Sequence, residues 1–315
     1  MLEIRRYHSE QEEEWNLFVA HSKNGTFLID RRYMDYHAHR FSDFSLMIYT
    51  EKGALLAVLP AHREDNCLFS HGGLTYGGLV MGNDMTAQKA MQVFDALNAF
   101  LADNGIDRVR YKPAPHIYHR CPAEEDLYAI VQCCHARLQF REIASVVPLD
   151  GNLPKWSQLR VRGVKKADRQ GVQVVQSDDY DGFWNILSDN LLQKYGKAPV
   201  HSLEEIRLLA GRFPRNIRLF VAKQGCEMLA GTVIYETKDR IAHSQYISAS
   251  PRGKQMGALD KLFYHLLTEE YTHMSYFDFG ISTEQHGQWL NENLIHQKEG
   301  FGARAVCYDT YEWTL

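Results

Sequence analysis

The chain has 315 residues, 45% of them hydrophobic and 23% charged, and a formal net charge of −4. The length points to two domains of ordinary size, and the composition excludes a disordered or fibrous chain. The acidic balance argues against a protein that lives on nucleic acid.

Residues 2–7 read as an opening strand. Ser9 with Glu12 has the form of a capping box ahead of a helix that carries Trp15, Leu17, Phe18 and Val19. Asn24-Gly25 breaks that helix, and a second is expected over about 31–40. Residues 44–49 and 54–63 form a strand pair across Glu51-Lys52-Gly53, with a further short strand at 67–70. Gly72, Gly73, Gly77 and Gly78 exclude a packed helix and mark a loop. Ala87, Ala90, Met91, Phe94, Leu97, Phe100 and Leu101 recur at helical spacing, so 85–104 is an amphipathic helix. A strand at 109–111, a proline-punctuated loop at 112–122, a helix at 124–138 and a strand at 141–149 follow.

The segment DGNLP, residues 150–154, reads as a linker. The second half opens with a basic helix at 159–169, carrying Arg160, Arg162, Lys165, Lys166 and Arg169. These cations form either a solvated face or a phosphate site. Then come a strand at 172–176, helices at 178–195 and 202–213 (the latter capped by Ser202 with Glu205), and a hairpin of 217–223 with 228–237. A strand at 241–249, a loop at 250–257 and a helix at 258–267 form the next unit. A strand at 276–280, a helix at 289–298 and a last strand at 305–313 complete the chain. Much the same order of elements appears in both halves, without a residue-level repeat. The fold class is therefore α/β in an α+β layering, with domains at 1–149 and 150–315.

Six scattered cysteines include no Cys-x-x-Cys pair, which predicts reduced thiols in a cytoplasmic protein. No metal-ligand spacing appears, and no run approaches the roughly 20 apolar residues of a membrane span. The N-terminal MLEIRRYHSEQEEEW has no apolar signal core.

The loop at 250–257 places Arg252, Gly253, Lys254 and Gly257 between a strand and a helix. Glycines admit close backbone approach, a helix start offers unpaired N–H groups, and two cations add charge. The loop is either a phosphate cradle or a surface turn. His71, Tyr76, His116, Tyr118 and His119 lie on the two punctuated loops of the first half. They either line a cleft between the halves or serve as loop polar groups and supporting aromatics.

The strand and loop resemble the acyl-CoA loop of the GNAT acyltransferase superfamily, Arg/Gln-x-x-Gly-x-Gly/Ala. Arg252 and Gly257 match it, while Gln255 stands in place of the middle glycine. The segment IHQKEGFGAR at 295–304 resembles the Phe-Lys-x-x-Phe-Gly motif of Fem transferases through Lys298, Phe301 and Gly302, with Gln297 in place of the first Phe. The same segment is similar to the GNAT ending Tyr-x-x-x-Gly-Phe through Gly300 and Phe301, with His296 at the tyrosine position. With the basic helix, these pieces identify the chain as similar to tandem-GNAT proteins of the Fem-like group. The resemblance implies two GNAT-like domains, each a mixed, mostly antiparallel sheet flanked by helices.

The implied chemistry is acyl transfer from acetyl-CoA or another acyl-CoA to a small amine, such as an amino sugar, nucleotide sugar or amino-acid derivative. Ile247, Ala249, Arg252, Gly253, Lys254, Gly257 and Ala258 would hold the donor. His296 would act as acid, Lys298 would position charge, and Glu284 and His243 are base candidates. His71, Tyr76, His201, Tyr246, Asn291 and Asn293 are acceptor-site candidates. Two alternatives remain open. One is a Fem-type transferase of cell-wall precursors that takes aminoacyl-tRNA, the single nucleic-acid partner considered. The other is a ligand-binding module that kept the fold without the reaction.

Overall fold

The computed structural model describes residues 2–151, 154–237 and 240–315, and Tyr195 in its backbone only. It divides into two compact units. The first comprises Met1–Glu142, Gln285–Gln288 and Cys307–Leu315, and the second Ile143–Glu284 and Trp289–Val306. In chain order the strands and α-helices are β1 (Glu3–Arg6), α1 (Glu12–His21), α2 (Arg31–Met34), β2 (Leu46–Tyr49), β3 (Leu55–Leu59), β4 (His62–Glu64), β5 (Cys67–Phe69), β6 (Val80–Met81), α3 (Ala87–Asp103), β7 (Arg108–Tyr111), α4 (Glu125–Cys134) and β8 (Arg137–Pro148). They continue as α5 (Gln158–Arg169), β9 (Gln173–Ser177), α6 (Tyr180–Tyr195), α7 (Leu203–Arg212), β10 (Ile217–Gln224), β11 (Glu227–Thr237), β12 (Ile241–Ala249), α8 (Pro251–Met256), α9 (Ala258–His265), β13 (Tyr276–Ile281), β14 (Thr283–Glu284), β15 (Trp289–Leu290), α10 (Glu292–Glu299) and β16 (Arg304–Thr314). β8 and β16 contribute residues to both units.

In the first unit β1, β2, β3 and β6 form an antiparallel sheet. β5 runs parallel to β7, which pairs antiparallel with β16 through Tyr111↔Tyr311 and Val109↔Trp313. α3 begins at Thr86, whose hydroxyl accepts from the Lys89 amide. It buries Ala90, Val93, Phe94, Leu97 and Leu101 against this sheet core. In the second unit the strand order is β8-β13-β12-β11-β10-β9. Among the described residues of this sheet only β12 and β13 are parallel neighbours; the other pairings are antiparallel. A core of Ala222, Ile234, Leu262, Phe263, Phe277 and Phe301, among others, lies on this sheet. The capping box of Ser202 and Glu205 forms as expected.

Several boundaries differ from the expectation for identifiable reasons. The first helix is entered through a short 3₁₀ turn capped by His8 and Gln11 rather than by Ser9 and Glu12. The expected helix over 31–40 is α-helical only to Met34 and continues as a 3₁₀ turn, Asp35–Arg40, with non-helical backbone at His37. Pro60 divides the expected strand 54–63 into β3 and β4. α4 stops at Cys134 because His135 takes a left-handed C-cap, and β8 begins two residues later.

The expected loop at 250–257 is the helix α8. Ser250 accepts from the Gly253 amide as N-cap, and Pro251 occupies the first turn, where its fixed φ suits a helix. α9 ends at His265 and runs into a π-helical turn, Leu266–Glu270. Trp289 and Leu290 pair with β14 as a strand, so the last helix starts at Glu292 with Asn291 as cap. Residues 152 and 153 of the expected DGNLP linker lie outside the described residues.

Candidate functional site

The site of the second unit begins where its two parallel strands part. β12 and β13 share three registered pairs, Ile241↔Tyr276, Ala242↔Phe277 and His243↔Asp278. Beyond His243, β12 stays with β11 as far as Ala249, and β13 follows β8 with a register shift between Asp278 and Ile281. Gly280, at φ +73, lies inside that irregularity. A pocket of about 510 Å³ opens along the parted strands. Ile247 and Ala249 of β12 and Phe279 of β13 line it, with Phe263 from α9, Leu191 from α6 and Phe301 after α10. The volume and the apolar lining suit a small ligand with a hydrocarbon portion.

Lys298 of α10 enters this pocket with 4% of its surface exposed. Its Nζ donates to the Gly280 carbonyl at 2.8 Å and the Ile281 carbonyl at 2.7 Å. One N–H of the ammonium group remains after those two bonds. Burial pushes its pKa down to about 8 against the opposing pull of Asp278. Asp278 is fully buried; its Oδ2 meets His243 Nδ1 at 2.9 Å and its Oδ1 accepts from the Gly280 amide at 2.7 Å. At another part of the lining, Asn190 Nδ2 donates to Ser248 Oγ and to the Ala249 carbonyl, each at 2.8 Å. Its Oδ1 accepts from Lys254 Nζ at 2.6 Å.

Of the donor candidates, Ile247, Ala249 and Lys254 reach this pocket. The glycines do a different job. A Cβ on Gly253 would overlap the Leu229 carbonyl, and one on Gly257 would lie 2.6 Å from the Gly163 carbonyl. Gly257 also sits at φ +75 as the C-cap of α8. The close approach these glycines permit is therefore to β11 and α5, within the protein. The amides nearby are committed too: Gly253 N donates to Ser250 Oγ, Lys254 N to the Ser250 carbonyl and Gly257 N to the Gly253 carbonyl. Arg252 is exposed and pairs with Glu227 and Gln224, Gln255 is exposed on α8, and Ala258 is core. On the basic helix α5, Arg160 bonds Asp260 at 2.6 Å and lies over Phe301, while Arg162, Lys165, Lys166 and Arg169 are exposed.

The remaining candidates are spread out. His296 is on the exposed side of α10, away from Lys298. Glu284 accepts from Asn291 Nδ2 at 3.0 Å, and Asn291 Oδ1 caps α10 at the Leu294 amide. Asn293 is exposed. His201 Nδ1 meets the Tyr246 hydroxyl at 2.5 Å in a buried pair. In the first unit, Tyr76 is core: it packs on Tyr118 and its hydroxyl donates to Thr26 Oγ1 at 3.1 Å. His116 is exposed, and His119 is buried with Nε2 2.9 Å from the Ala114 carbonyl. His71 lines a separate cavity of its unit.

Sequence reading missed Asn190, Phe279 and Asp278. The alternation in YFDFG at 276–280 carried a signal for Asp278 and Phe279; nothing local marked Asn190. Among the described residues no group of three His, Cys, Asp or Glu side chains could hold a metal ion. No helix among them is long and apolar enough to cross a membrane.

The second unit's parted parallel strand pair within a mostly antiparallel sheet is a GNAT-like arrangement, and the likeness of the whole chain to tandem GNAT and Fem-like proteins holds at the level of the fold. The chain is similar to FemX with a TM-score of 0.66 and 11% identity, over 99% of this chain and 97% of that one. It is similar to L-PGS from Bacillus licheniformis with a TM-score of 0.60 and 14% identity, over 98% and 92%. It is also similar to a tandem GNAT protein from the clavulanic acid biosynthesis pathway, with a TM-score of 0.53 and 10% identity, over 100% and 98%. No family model matches the sequence, and no curated protein matches it.

Proposed function

We propose that this protein is an acyltransferase that binds its acyl donor in the pocket of the second unit. The observation that carries the reading is Lys298, a buried ammonium fixed by two backbone carbonyls where β12 and β13 part. Its remaining N–H can stabilise the oxyanion that forms when an amine attacks the donor carbonyl. In that step a C–N bond forms and the C–S or C–O bond to the carrier breaks. The amine loses a proton, and the leaving thiolate or alkoxide takes one up. The backbone of β12 and the apolar walls would align the acyl group. The fold's relatives fit this class, since GNAT and Fem proteins, which this chain resembles, move acyl and aminoacyl groups.

Two donor classes remain, and they make different demands. An acyl-CoA needs phosphate partners; besides Lys298, the cations that line the pocket are Lys194 and Lys254, the latter bonded to Asn190, while Arg252 lies outside the lining and pairs with Glu227. The amides of residues 253, 254 and 257 are committed within the protein, which favours the second class, an aminoacyl ester of tRNA. The exposed cations of α5 would meet its phosphates. Acceptor and product are followed by mass spectrometry. The full chain is incubated with acetyl-CoA or with a mixed aminoacyl-tRNA pool, together with a panel of amino sugars and amino acids. Acceptor-dependent loss of the acyl group, falling at least a hundredfold in Lys298→Met, is the expected result. Equal turnover by that variant would remove Lys298 from the chemistry.

A further inference from the structure

Lys298 is held by two consecutive carbonyls, and a regular strand cannot offer them. Successive carbonyls of a strand point to opposite sides. Those of Gly280 and Ile281 nevertheless both accept from one Nζ, at 2.8 and 2.7 Å. A bend in the backbone brings them together. Between the pairs Asp278↔Val146 and Ile281↔Ala144, β13 takes one residue more than β8. Gly280, within that stretch, sits at φ +73.

Asp278 ties the bend. Its Oδ1 accepts from the Gly280 amide at 2.7 Å, which closes an Asx turn. Its Oδ2 lies 2.9 Å from Nδ1 of His243, its register partner in the last pair before the strands part. His243 also lies against the bend, since a Cβ on Gly280 would come 3.2 Å from its Cε1. An asparagine could close the same turn. What a carboxylate adds is charge, and Asp278 is fully buried, where a charge is costly unless it is matched. Lys298 is the match: the attraction of Asp278 opposes the desolvation that lowers the pKa of the ammonium group. The other charged side chains of the pocket lining, Lys194 and Lys254, are cations, and among the described residues no carboxylate lines the pocket. Arg160, over the Phe301 ring, is bonded to Asp260.

We propose that Asp278 is the positioning residue of Lys298: it ties the bend that aims the Gly280 and Ile281 carbonyls at the ammonium group, and it is the counter-charge of that group. Asp278 is fully buried and does not line the pocket, so it acts through Lys298. Its part in acyl transfer rests on the reading of Lys298 given above; the tie itself does not. With the carboxylate in place, Lys298 holds its proton at neutral pH and keeps a charged N–H for the oxyanion. Without it the proton would leave about one pH unit lower, and a neutral amine is the weaker donor.

The test reads Lys298 by NMR on the full chain carrying isotope-labelled lysine and aspartate, with the lysine resonance assigned by its loss in Lys298→Met. Wild type should titrate with a midpoint of about 8. Asp278→Asn keeps an oxygen for the Gly280 amide and removes the charge, so its midpoint should fall by about one pH unit or more. Should that variant fail to fold, the wild type still answers, because the Asp278 carboxyl resonance should step at the Lys298 midpoint. An unchanged midpoint in Asp278→Asn, or an Asp278 resonance blind to the Lys298 titration, overturns the proposal. Acyl transfer gives a second readout. The ammonium is the active form, so activity falls as pH rises through the midpoint, and the alkaline limb of the kcat profile should move down with it in Asp278→Asn. A limb that stays in place while the midpoint moves would strike the acyl-transfer reading of Lys298 and leave the tie standing. Absence of turnover by wild type would do the same, since the midpoint alone decides the tie.

Discussion

Replacing Lys298 by Met separates the cost of the buried ammonium from the rest of the fold. The pKa falls from 10.5 to about 8 because burial withdraws water from the charge. The unfolded chain keeps the lysine proton up to its ordinary pKa, and the folded chain gives it up near pH 8. Between those values the unfolded state binds more protons, so stability rises with pH. The shift corresponds to about 3 kcal/mol, absent below pH 8 and fully recovered above pH 10.5. Urea unfolding of wild type and Lys298→Met from pH 7 to pH 10.5, at unchanged m value, reads the difference directly. Wild type should gain about 3 kcal/mol on the variant across that range. The variant's own baseline is also shifted, because the Gly280 and Ile281 carbonyls lose a donor, but that loss does not vary with pH. A difference that stays flat across the range would refute a desolvated Lys298.

Gly253→Ala drives a Cβ into the Leu229 carbonyl and should cost about 3 kcal/mol or more in unfolding free energy. The exposed Arg252→Ala should stay within about 0.5 kcal/mol; equal effects would contradict the packing role of the glycine. Asp126 is buried and its pKa is raised to about 6 by that burial, although the Tyr111 hydroxyl opposes the shift. The folded state then holds the proton longer, so wild-type stability should fall by about 3 kcal/mol relative to Asp126→Asn as pH rises from 4 to 6. Parallel acid profiles of the two proteins would show that the carboxyl is not shifted. Tyr76→Phe should lose about 1 kcal/mol with the Thr26 bond and leave every ligand affinity unchanged, as calorimetry and thermal unfolding would check.

The periodic elements were legible in the sequence because burial imposes their period. The stripe of Ala90, Phe94, Leu97 and Leu101 places α3, and β12 falls at 241–249 as read. Element order and the motif around Lys298 pointed to the fold now observed, and Lys298 does enter a pocket. Residues 250–257 were harder, because Ser-Pro with two glycines is written the same way for a turn and for a capped helix. What Gly253 and Gly257 approach depends on β11 and α5, which lie far off in sequence, so a phosphate cradle and a tight helix contact look alike. Asn190 escaped notice for a related reason. Its partners Ser248 and Lys254 are about 60 residues away, and a polar residue on a helix has no local sign of them. Tyr76 reads as a loop aromatic until Tyr118 and Thr26 are seen to close over it.

The central claim is that the pocket along β12 and β13 receives the acyl donor. Leu294 of α10 lines that pocket and is only partly buried, so Leu294→Trp can fill it at little cost to the fold. Calorimetric titration of wild type and this variant with acetyl-CoA, and separately with aminoacyl-tRNA, tests the claim. One donor should bind the wild type with a Kd on the order of micromolar, about −8 kcal/mol, and lose at least tenfold in the variant. Binding of either donor that the tryptophan leaves unchanged, or no binding of either donor by the wild type, would contradict it.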